Sequence, residues 1–230
     1  MSRHVPGARR ASGGPKVRSM SDAAPMSGRK AQAARNDEVI LEAARAVFIE
    51  NPEAPIALVA ERAGVGISAL YRRYPSKEDL LAKLCLDGLR TFVAILEEAV
   101  DDERDAWTAF ESFMRRAVDA GTSALTVKLA GTFTPTQEHW TDSVKAFELT
   151  DAMMRRVREA GVVREDLEEG DLAMVFEMLA GLRLGDETRS AELRQRYLSF
   201  VLDGMRNPAA HTPLTGRGPA DDELSRRWAR

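Results

Sequence analysis

Arginine, serine and small apolar residues fall together on one short predicted helix, in a pattern suited to contacting DNA. The segment from Ala63 to Lys77 contains a helix end, a tight turn at Gly64, a short helix and a stop at Pro75. From such a helix Arg72 can donate two hydrogen bonds to guanine O6 and N7 in the major groove. The spacing predicts a helix-turn-helix whose second helix reads DNA.

Several other residues near this helix are candidates for DNA contacts. A serine can serve a base or a phosphate, and small apolar side chains can contact a thymine methyl. A lysine at the start of the next helix lies where free backbone N–H groups also favour a phosphate. For Arg73, and less strongly for Arg72, the alternative is a solvated face with intrahelical ion pairs. The candidates are Arg35, Ile67, Ser68, Ala69, Tyr71, Arg72, Arg73 and Lys77.

The elements that position this segment are helices, because apolar residues recur at helical spacing and no convincing strand pattern is present. Asn36 is the expected N-cap of the first helix, and Ser76 with Asp79 is the expected cap of the fourth. Leu70 and Tyr74, four residues apart, are expected to point inward. The predicted helices are 36–50, 56–63, 67–74, 76–100, 106–120, 122–130, 136–160, 169–184 and 190–206, with a short turn of helix near 221–228. The predicted fold class is all-α.

Composition excludes several classes of protein. The chain has 230 residues, 44% of them hydrophobic, so a sizeable core is expected. One cysteine, Cys85, rules out a disulfide framework within one chain and fits a cytoplasmic location. No apolar run approaches the length of a membrane span, so no membrane partner is expected. Residues 1–80 carry 13 Lys and Arg against 9 Asp and Glu, and the remainder 20 against 27, which weakly favours a polyanion at the N-terminal end.

Four segments follow from these patterns. Residues 1–34 are predicted to be a disordered basic tail, either an arm that follows DNA or a solvated leader without a role, and translation could also start at Met20 or Met26. Residues 35–82 form the predicted helix-turn-helix domain. Residues 83–206 form a helical domain for effector binding and dimerisation, and 207–230 a flexible C-terminal tail.

The ordered set of motifs over residues 35–81 resembles the N-terminal domain of TetR-family transcriptional regulators. The residues that carry the resemblance are Arg35, Ile40, Ala43, Ala44 and Phe48, then 59–65, then 69–81. The C-terminal region is similar only in layout, with 196–206 like the family's final dimerisation helix. The resemblance implies that Ile67, Ser68, Ala69 and Arg72 meet bases and that Tyr71 and Lys77 contact phosphates.

Two positions depart from the family pattern. Pro55 and Ile56 stand where members often have a serine or threonine that bonds a phosphate, so this contact must come from the backbone or from elsewhere. Tyr74 replaces the usual phenylalanine, a change expected to keep the ring inward.

Bulky and flexible side chains in the C-terminal region suit an adaptable ligand cavity, and they also suit an ordinary core. Glu177, in an apolar helix, could bind a polar ligand group, pair with Arg183 or lie at an exposed edge. The ligand-binding candidates are Trp107, Phe110, Met114, Trp140, Phe147, Met154, Phe176 and Glu177. The candidates for a dimer interface are Met178, Leu182, Leu193, Tyr197, Val201 and Met205.

The predicted function is a transcriptional repressor that binds palindromic double-stranded operator DNA as a homodimer and is released by a small apolar or amphipathic effector. An activator, or a DNA-binding protein of this fold without an effector, is the alternative. An enzyme is not expected, because His4, His139 and His211 are scattered and no catalytic or metal-ligand spacing is present. No cofactor or metal is expected.

Overall fold

A computed structural model describes residue 1 and residues 28–122, 129, 131–207 and 212–228. Within these ranges the regular structure is helical, apart from one isolated antiparallel bridge between Val163 and Arg206. The chain is therefore all-α, as predicted. No helix among the described residues is long and apolar enough to cross a membrane.

The helices are labelled here in chain order. They are α1 Gly28–Glu50, α2 Ile56–Arg62, α3 Ile67–Arg73, α4 Lys77–Val100, α5 Ala106–Asp119, α6 Gln137–Glu159, α7 Glu169–Ala180, α8 Glu187–Met205 and α9 Asp221–Ser225. A 3₁₀ turn, Arg226–Trp228, follows α9. Of the helix predicted over 122–130, Thr122 and Leu129 are helical and the other residues lie outside the described ranges.

The structure corrects three predicted helix boundaries. The first helix begins at Gly28, so Asn36 is an interior residue and not its N-cap. The intervening segment is rich in alanine and contains no proline or glycine after Gly28, so nothing in it opposes a helix. The predicted helix over 169–184 ends at Ala180, and the last long helix starts at Glu187 because Asp186 accepts a hydrogen bond from the Arg189 N–H as its cap.

Two clusters of buried side chains hold the helices together. The N-terminal cluster joins α1, α2, α3 and the first half of α4, with Phe48, Leu70, Leu80 and Leu84 almost fully buried. Phe133, which precedes α6, belongs to this cluster as well. The C-terminal cluster joins the second half of α4 with α5, α6, α7 and α8. Helix α4 therefore lies in both cores and connects them.

The turns around α3 form as their residues predict. Gly64 has φ of +64°, the left-handed conformation that ends α2. After Pro75, Ser76 caps α4: its hydroxyl oxygen accepts from the Asp79 N–H at 3.0 Å, and the Ser76 N–H donates to the Asp79 carboxylate at 3.0 Å. This capping box fixes the direction in which α4 leaves the recognition helix.

Candidate nucleic-acid interface and ligand cavity

Helix α3 is held by one buried face and presents the other to solvent. Leu70 is fully buried and Tyr74 is 6% exposed, as their spacing predicts. On the opposite side Ile67 and Tyr71 are 40% and 46% exposed. The helix is short and sits at the surface, so this face is free to enter a groove. Among the other predicted contacts, Ser68, Arg72 and Arg73 are exposed and Ala69 is half-buried.

Asp37 on α1 clamps the C-terminal end of α3. The Arg73 Nε–H and Nη2–H donate to its two carboxylate oxygens at 2.8 and 2.7 Å, and the Tyr74 hydroxyl donates at 2.6 Å. The Arg73 guanidinium lowers the pKa of Asp37, and the carboxylate in turn raises the pKa of Arg73. Burial is the main cause that raises the pKa of Tyr74. Arg73, predicted as a DNA contact, is thus occupied in orienting α3.

Tyr74 departs from the usual family phenylalanine for a visible reason. Its ring fills the N-terminal core while its hydroxyl reaches Asp37. A buried tyrosine usually places its hydroxyl on a polar partner in this way. Sequence reasoning missed this clamp because Asp37 and Arg73 lie 36 positions apart.

The remaining predicted contacts flank α3. Lys77 is half-buried in the first turn of α4, with Nζ 5.3 Å from the centre of the Phe48 ring, and Arg35 is exposed on α1. Pro55 precedes α2 and makes no side-chain cap. The side chain of Pro55 offers no donor to a phosphate, so a contact at that helix start would come from backbone N–H groups or from residues elsewhere.

A cavity of about 300 Å³ lies between α4, α6 and α7. Its size is at the lower end of the range for small-molecule pockets, about 300–1,000 Å³. Three of the predicted ligand-binding residues line it: Trp140, Phe147 and Phe176. The side chains of Trp140 and Phe147 are about half exposed, so they are available to a bound molecule.

Four predicted ligand-binding residues belong instead to the closed C-terminal core. Phe110, Met114 and Met154 are completely buried there. Trp107 is 7% exposed, donates its indole N–H to Glu111 at 3.1 Å and stacks under the Arg206 guanidinium. None of these four side chains lines the cavity, although Phe113 of helix α5 does. Glu177 is half-buried and also lies outside the described lining.

The cavity has lining residues that sequence reasoning missed. On α6, Trp140, Ser143, Phe147 and Thr150 recur at helical spacing and form one mixed face, a signal readable in the sequence. Others come from α4, α5 and the C-terminal segment, for which the sequence offered no such signal. The missed lining residues are Gly88, Leu89, Phe92, Phe113, Thr122, Ser143, Ala146, Thr150, Glu169, Gly170, Leu172, Ala173, Asp221, Leu224, Ser225 and Trp228.

The wall of the cavity formed by α6 is bonded to α4. Arg90 on α4 donates to Glu138 at 2.8 Å and to Asp142 at 2.9 Å. Buried His139 accepts the Thr136 N–H on Nδ1 at 3.2 Å, so its Nε2–H donates to the Ala82 carbonyl oxygen at 3.0 Å. Helix α6 is thus bonded to α4 at Ala82, in the second turn of α4, and at Arg90.

Large apolar side chains are exposed on α7 and α8. Met178 is 59% exposed and Tyr197 is 47% exposed, as suits residues predicted at a dimer interface. Phe200, which was not predicted, is 63% exposed and lies 6.0 Å from the Tyr197 ring. Of the other dimer candidates, Leu182 and Val201 are half-buried.

Leu193 and Met205 do not fit a dimer interface. They are 7% and 4% exposed and point inward within the same protomer. Helix α8 carries apolar residues on two faces, and the prediction did not separate them. Met178 on α7 is exposed in the single chain, on the face that the dimer prediction assigns to a partner subunit.

Two family models match most of the helical region. Residues 40–84 match the model for bacterial regulatory proteins of the TetR family. Residues 105–207 match the model for the C-terminal domain of SbtR-like transcriptional regulators. No protein of curated function matches the chain in sequence.

Solved structures of regulators share the fold. A TetR regulatory protein from Mycobacterium vanbaalenii is 24% identical, with 78% of this chain and 99% of that one covered and a TM-score of 0.51. PfmR from Thermus thermophilus is 22% identical, with 71% and 97% covered and a TM-score of 0.51. LfrR from Mycobacterium smegmatis, solved with proflavine, is 21% identical, with 73% and 96% covered and a TM-score of 0.51. At these identities the likeness shows the fold alone.

Proposed function

This chain belongs to the TetR family of bacterial regulatory proteins, and from that membership we propose that it is a ligand-responsive repressor. In this proposal two copies bind a palindromic operator, and a small apolar or amphipathic molecule releases them. The single observation that carries the proposal is the solvent-facing side of α3, because exposed Ile67, Tyr71 and Arg72 stand on a helix whose other side is buried.

Within this proposal, some residues on and beside α3 determine sequence specificity, and others position the protein on the DNA backbone. Arg72 reads a guanine through two hydrogen bonds, and Ile67 and Ala69 contact thymine methyl groups. Tyr71 and Lys77 contact phosphates, which contribute affinity without sequence preference. Arg73 acts through Asp37 and keeps α3 at a fixed angle to α1.

Release by a ligand is supported by the position of the cavity. Its α6 wall is tied to α4 by Arg90 and His139, and α4 runs from the C-terminal core to the capping box beside α3. A ligand that binds better when α6 and α4 are displaced would move α3 in both subunits. The size of the response is limited by the difference in ligand affinity between the two arrangements.

The proposal is tested by selecting bound duplexes from random DNA. We expect two inverted half-sites whose centres lie about one helical turn, roughly 34 Å, or a multiple of it apart. Enrichment of a single unrepeated site, or of no sequence, would contradict the proposed operator.

Two variants then test the roles assigned on and beside α3. With the selected site, Arg72→Ala should lose about 1–3 kcal/mol of discrimination against random DNA. Lys77→Ala should instead weaken binding to both DNAs similarly and lower the salt slope by about one. The control is Arg155→Ala, an exposed arginine on α6. Full specificity in Arg72→Ala would overturn the assignment of the recognition helix.

A further inference from the structure

The C-terminal segment 212–228, here called the strap, forms one wall of the cavity. Asp221, Leu224, Ser225 and Trp228 line it together with residues of α4, α6 and α7. The strap lies beyond residue 207, where the match to the C-terminal family model ends. The cavity of this chain is therefore completed by residues outside that domain.

Specific hydrogen bonds fasten the start of the strap to the loop before α7. The Leu214 N–H donates to Asp166 at 2.7 Å, and the Thr212 carbonyl oxygen accepts from Arg164 at 2.8 Å. Gly218 donates its N–H to Glu168 at 2.9 Å. Arg164 and the Leu214 N–H hold the pKa of Asp166 well below its usual range. These hydrogen bonds hold the start of the strap in a defined position against the loop before α7.

Pro219 of the strap packs directly on Gly170 of α7, and no space for a side chain remains between them. A Cβ added to Gly170 would lie 2.0 Å from the Pro219 carbonyl oxygen. Such a distance is far inside van der Waals contact, so only glycine at this position permits the strap to dock as it does.

The end of the strap reaches the N-terminal core. The Trp228 ring lies 5.6 Å from Phe133 in an edge-to-face arrangement, and Trp228 packs against the core that contains α1 to α3. Trp228 also borders the cavity. One side chain therefore contacts both the ligand space and the core beneath the DNA-contacting helix.

The charges at the cavity narrow the class of ligand. Among its described lining residues the charged side chains are carboxylates, Glu169 and Asp221. Glu169 is paired with Arg158 at 2.7 Å. The other lining side chains are mainly aromatic and aliphatic. An anion that binds in the cavity would therefore lose its hydration, and it would also lie next to negatively charged carboxylates.

We propose that the strap is part of the effector site, that Leu224 and Trp228 bind an aromatic ligand, and that the carboxylates of the lining favour an uncharged ligand over its anionic counterpart. The proposal rests on the cavity being the effector site of the proposed repressor. Because Trp228 also packs on the N-terminal core, a ligand that displaces it alters the support of α3.

A pair of dyes with one scaffold tests the ligand class. N-phenyl-1-naphthylamine is uncharged, whereas 1-anilinonaphthalene-8-sulfonate adds a sulfonate to the same rings. In a fluorescence titration of the full chain, the uncharged dye should bind at least about tenfold more tightly, because burial beside carboxylates opposes the anion. Equal affinities, or no binding of the uncharged dye, would overturn the proposed ligand class.

Substitutions in the strap test its part in the site. Trp228→Ala should weaken binding of the uncharged dye about tenfold, and Trp228→Phe should restore most of it, since a ring is retained. Leu224→Ala should also weaken it, whereas Leu214→Ala, at an exposed position of the strap outside the lining, should not. Unchanged dye affinity in both Trp228→Ala and Leu224→Ala would overturn the role of the strap.

Gly170→Ala tests docking of the strap without touching the strap itself. The added methyl must displace Pro219, so dye affinity should fall about tenfold even though alanine favours the α7 helix. The control is Gly204→Ala on α8, where an added Cβ meets nothing within 4 Å. Affinity in Gly170→Ala equal to that in Gly204→Ala would show that docking of the strap does not matter.

Binding to the selected operator is measured on the same variants, so that the two proposals can fail separately. Sequence-specific DNA binding with dye affinity insensitive to the strap would overturn only the strap proposal. Dye binding that depends on the strap, in a chain without sequence preference for DNA, would overturn only the repressor.

Discussion

Asp37 accepts three hydrogen bonds from the end of α3, although it lies on a different helix. Two come from Arg73 and one from Tyr74, and its side chain is only 15% exposed. Hydrogen bonds to a charged group are among the stronger ones in proteins. The angle of the recognition helix therefore depends on a residue that never needs to touch DNA.

Asp37→Asn should lower the free energy of unfolding by about 1–2 kcal/mol, because the charge-assisted bonds to Arg73 are lost. The value is toward the low end because the Arg73 side chain is 57% exposed and water screens the pair. Urea denaturation measures the change. Tyr74→Phe, which removes one bond and keeps the ring, is the milder comparison. Equal stability of wild type and Asp37→Asn would contradict the clamp.

The same pair has a defined pH dependence. Arg73 lowers the pKa of Asp37, so the carboxylate contributes its stability above the unfolded value of about 3.9 and loses it as the pH falls through the lowered pKa. The stability difference between wild type and Asp37→Asn should thus be constant from about pH 5 to 8 and shrink below about pH 4.

Individual contact residues could be predicted from sequence only where a turn fixes their direction. Gly64, Pro75 and the buried Leu70 set the rotation of α3, which places Ile67, Tyr71 and Arg72 outward. The spacing also places Arg73 on the outer side of α3. Its guanidinium, however, donates to the carboxylate of Asp37, which lies 36 positions earlier in the chain. Contacts between distant segments leave no periodic signal in a single sequence.

At the scale of elements, helix boundaries could be predicted where a proline, a glycine or a capping residue marks the end of a helix. Pro55, Gly64, Pro75 and Ser76 bracket α2 and α3 and start α4 within a residue of the predicted bounds. The start of α1 carries no such residue between Gly28 and Asn36, and Asn36 resembles a cap without serving as one. Good helix formers before a candidate cap are a reason to extend the helix.

The residues that line the cavity could not be distinguished from core residues by sequence. A bundle helix with apolar residues on two faces has two sides that could face either the core or the cavity. Trp107 and Phe110 on α5 and Trp140 and Phe147 on α6 are alike in type, and only packing separates core from cavity. The strap wall was unpredictable for another reason. Residues 212–220 have no periodicity, so nothing in the sequence tells where they dock.

His139 is one of the residues that attach α6 to α4, together with Glu138 and Asp142, which bond Arg90. It is 7% exposed, its ring contacts Phe133 at 5.3 Å, and its two nitrogens bond Thr136 and the Ala82 carbonyl oxygen. His139→Ala should lower the free energy of unfolding by about 2 kcal/mol. Since a chain of this size loses about 2–4 °C per kcal/mol, Tm should fall by about 4–8 °C.

Calorimetry of His139→Ala is compared with Gln137→Ala, an exposed residue in the same first turn of α6. A Tm drop in His139→Ala no larger than in this control would mean that the hydrogen bonds of His139 do not help to hold α6 on α4. A larger drop supports His139 as a link between the cavity wall and α4.

At the scale of the whole molecule, α4 is the common element of both cores. Its first half packs under α1 to α3, and its second half packs in the core beneath the cavity. Cys85, in its first half, packs in the N-terminal core, where burial raises the pKa of the thiol to about 12. Helix α4 therefore extends from the cavity to the core that supports α3.

The proposed palindromic operator requires a second copy of the chain, and the exposed side chains of α7 and α8 are suited to bind it. Phe200, Met178 and Tyr197 form an apolar surface that a monomer would leave in water. A stable dimer buries about 1,200–2,000 Å² in total, with aromatic side chains near its centre.

Phe200→Glu should convert a dimer into a monomer, because burying an unpaired carboxylate at the centre of an apolar interface costs several kcal/mol. Light scattering at micromolar concentration reads the mass of one chain or of two. Val144→Glu, at a 56% exposed aliphatic position on α6, is the control that should stay dimeric. The Phe200→Glu monomer should keep non-specific affinity for DNA and lose the two-half-site preference, since each copy carries one recognition helix. A wild-type chain that scatters as a monomer would overturn the proposed dimer. A Phe200→Glu chain that remains a dimer would place the interface away from α7 and α8.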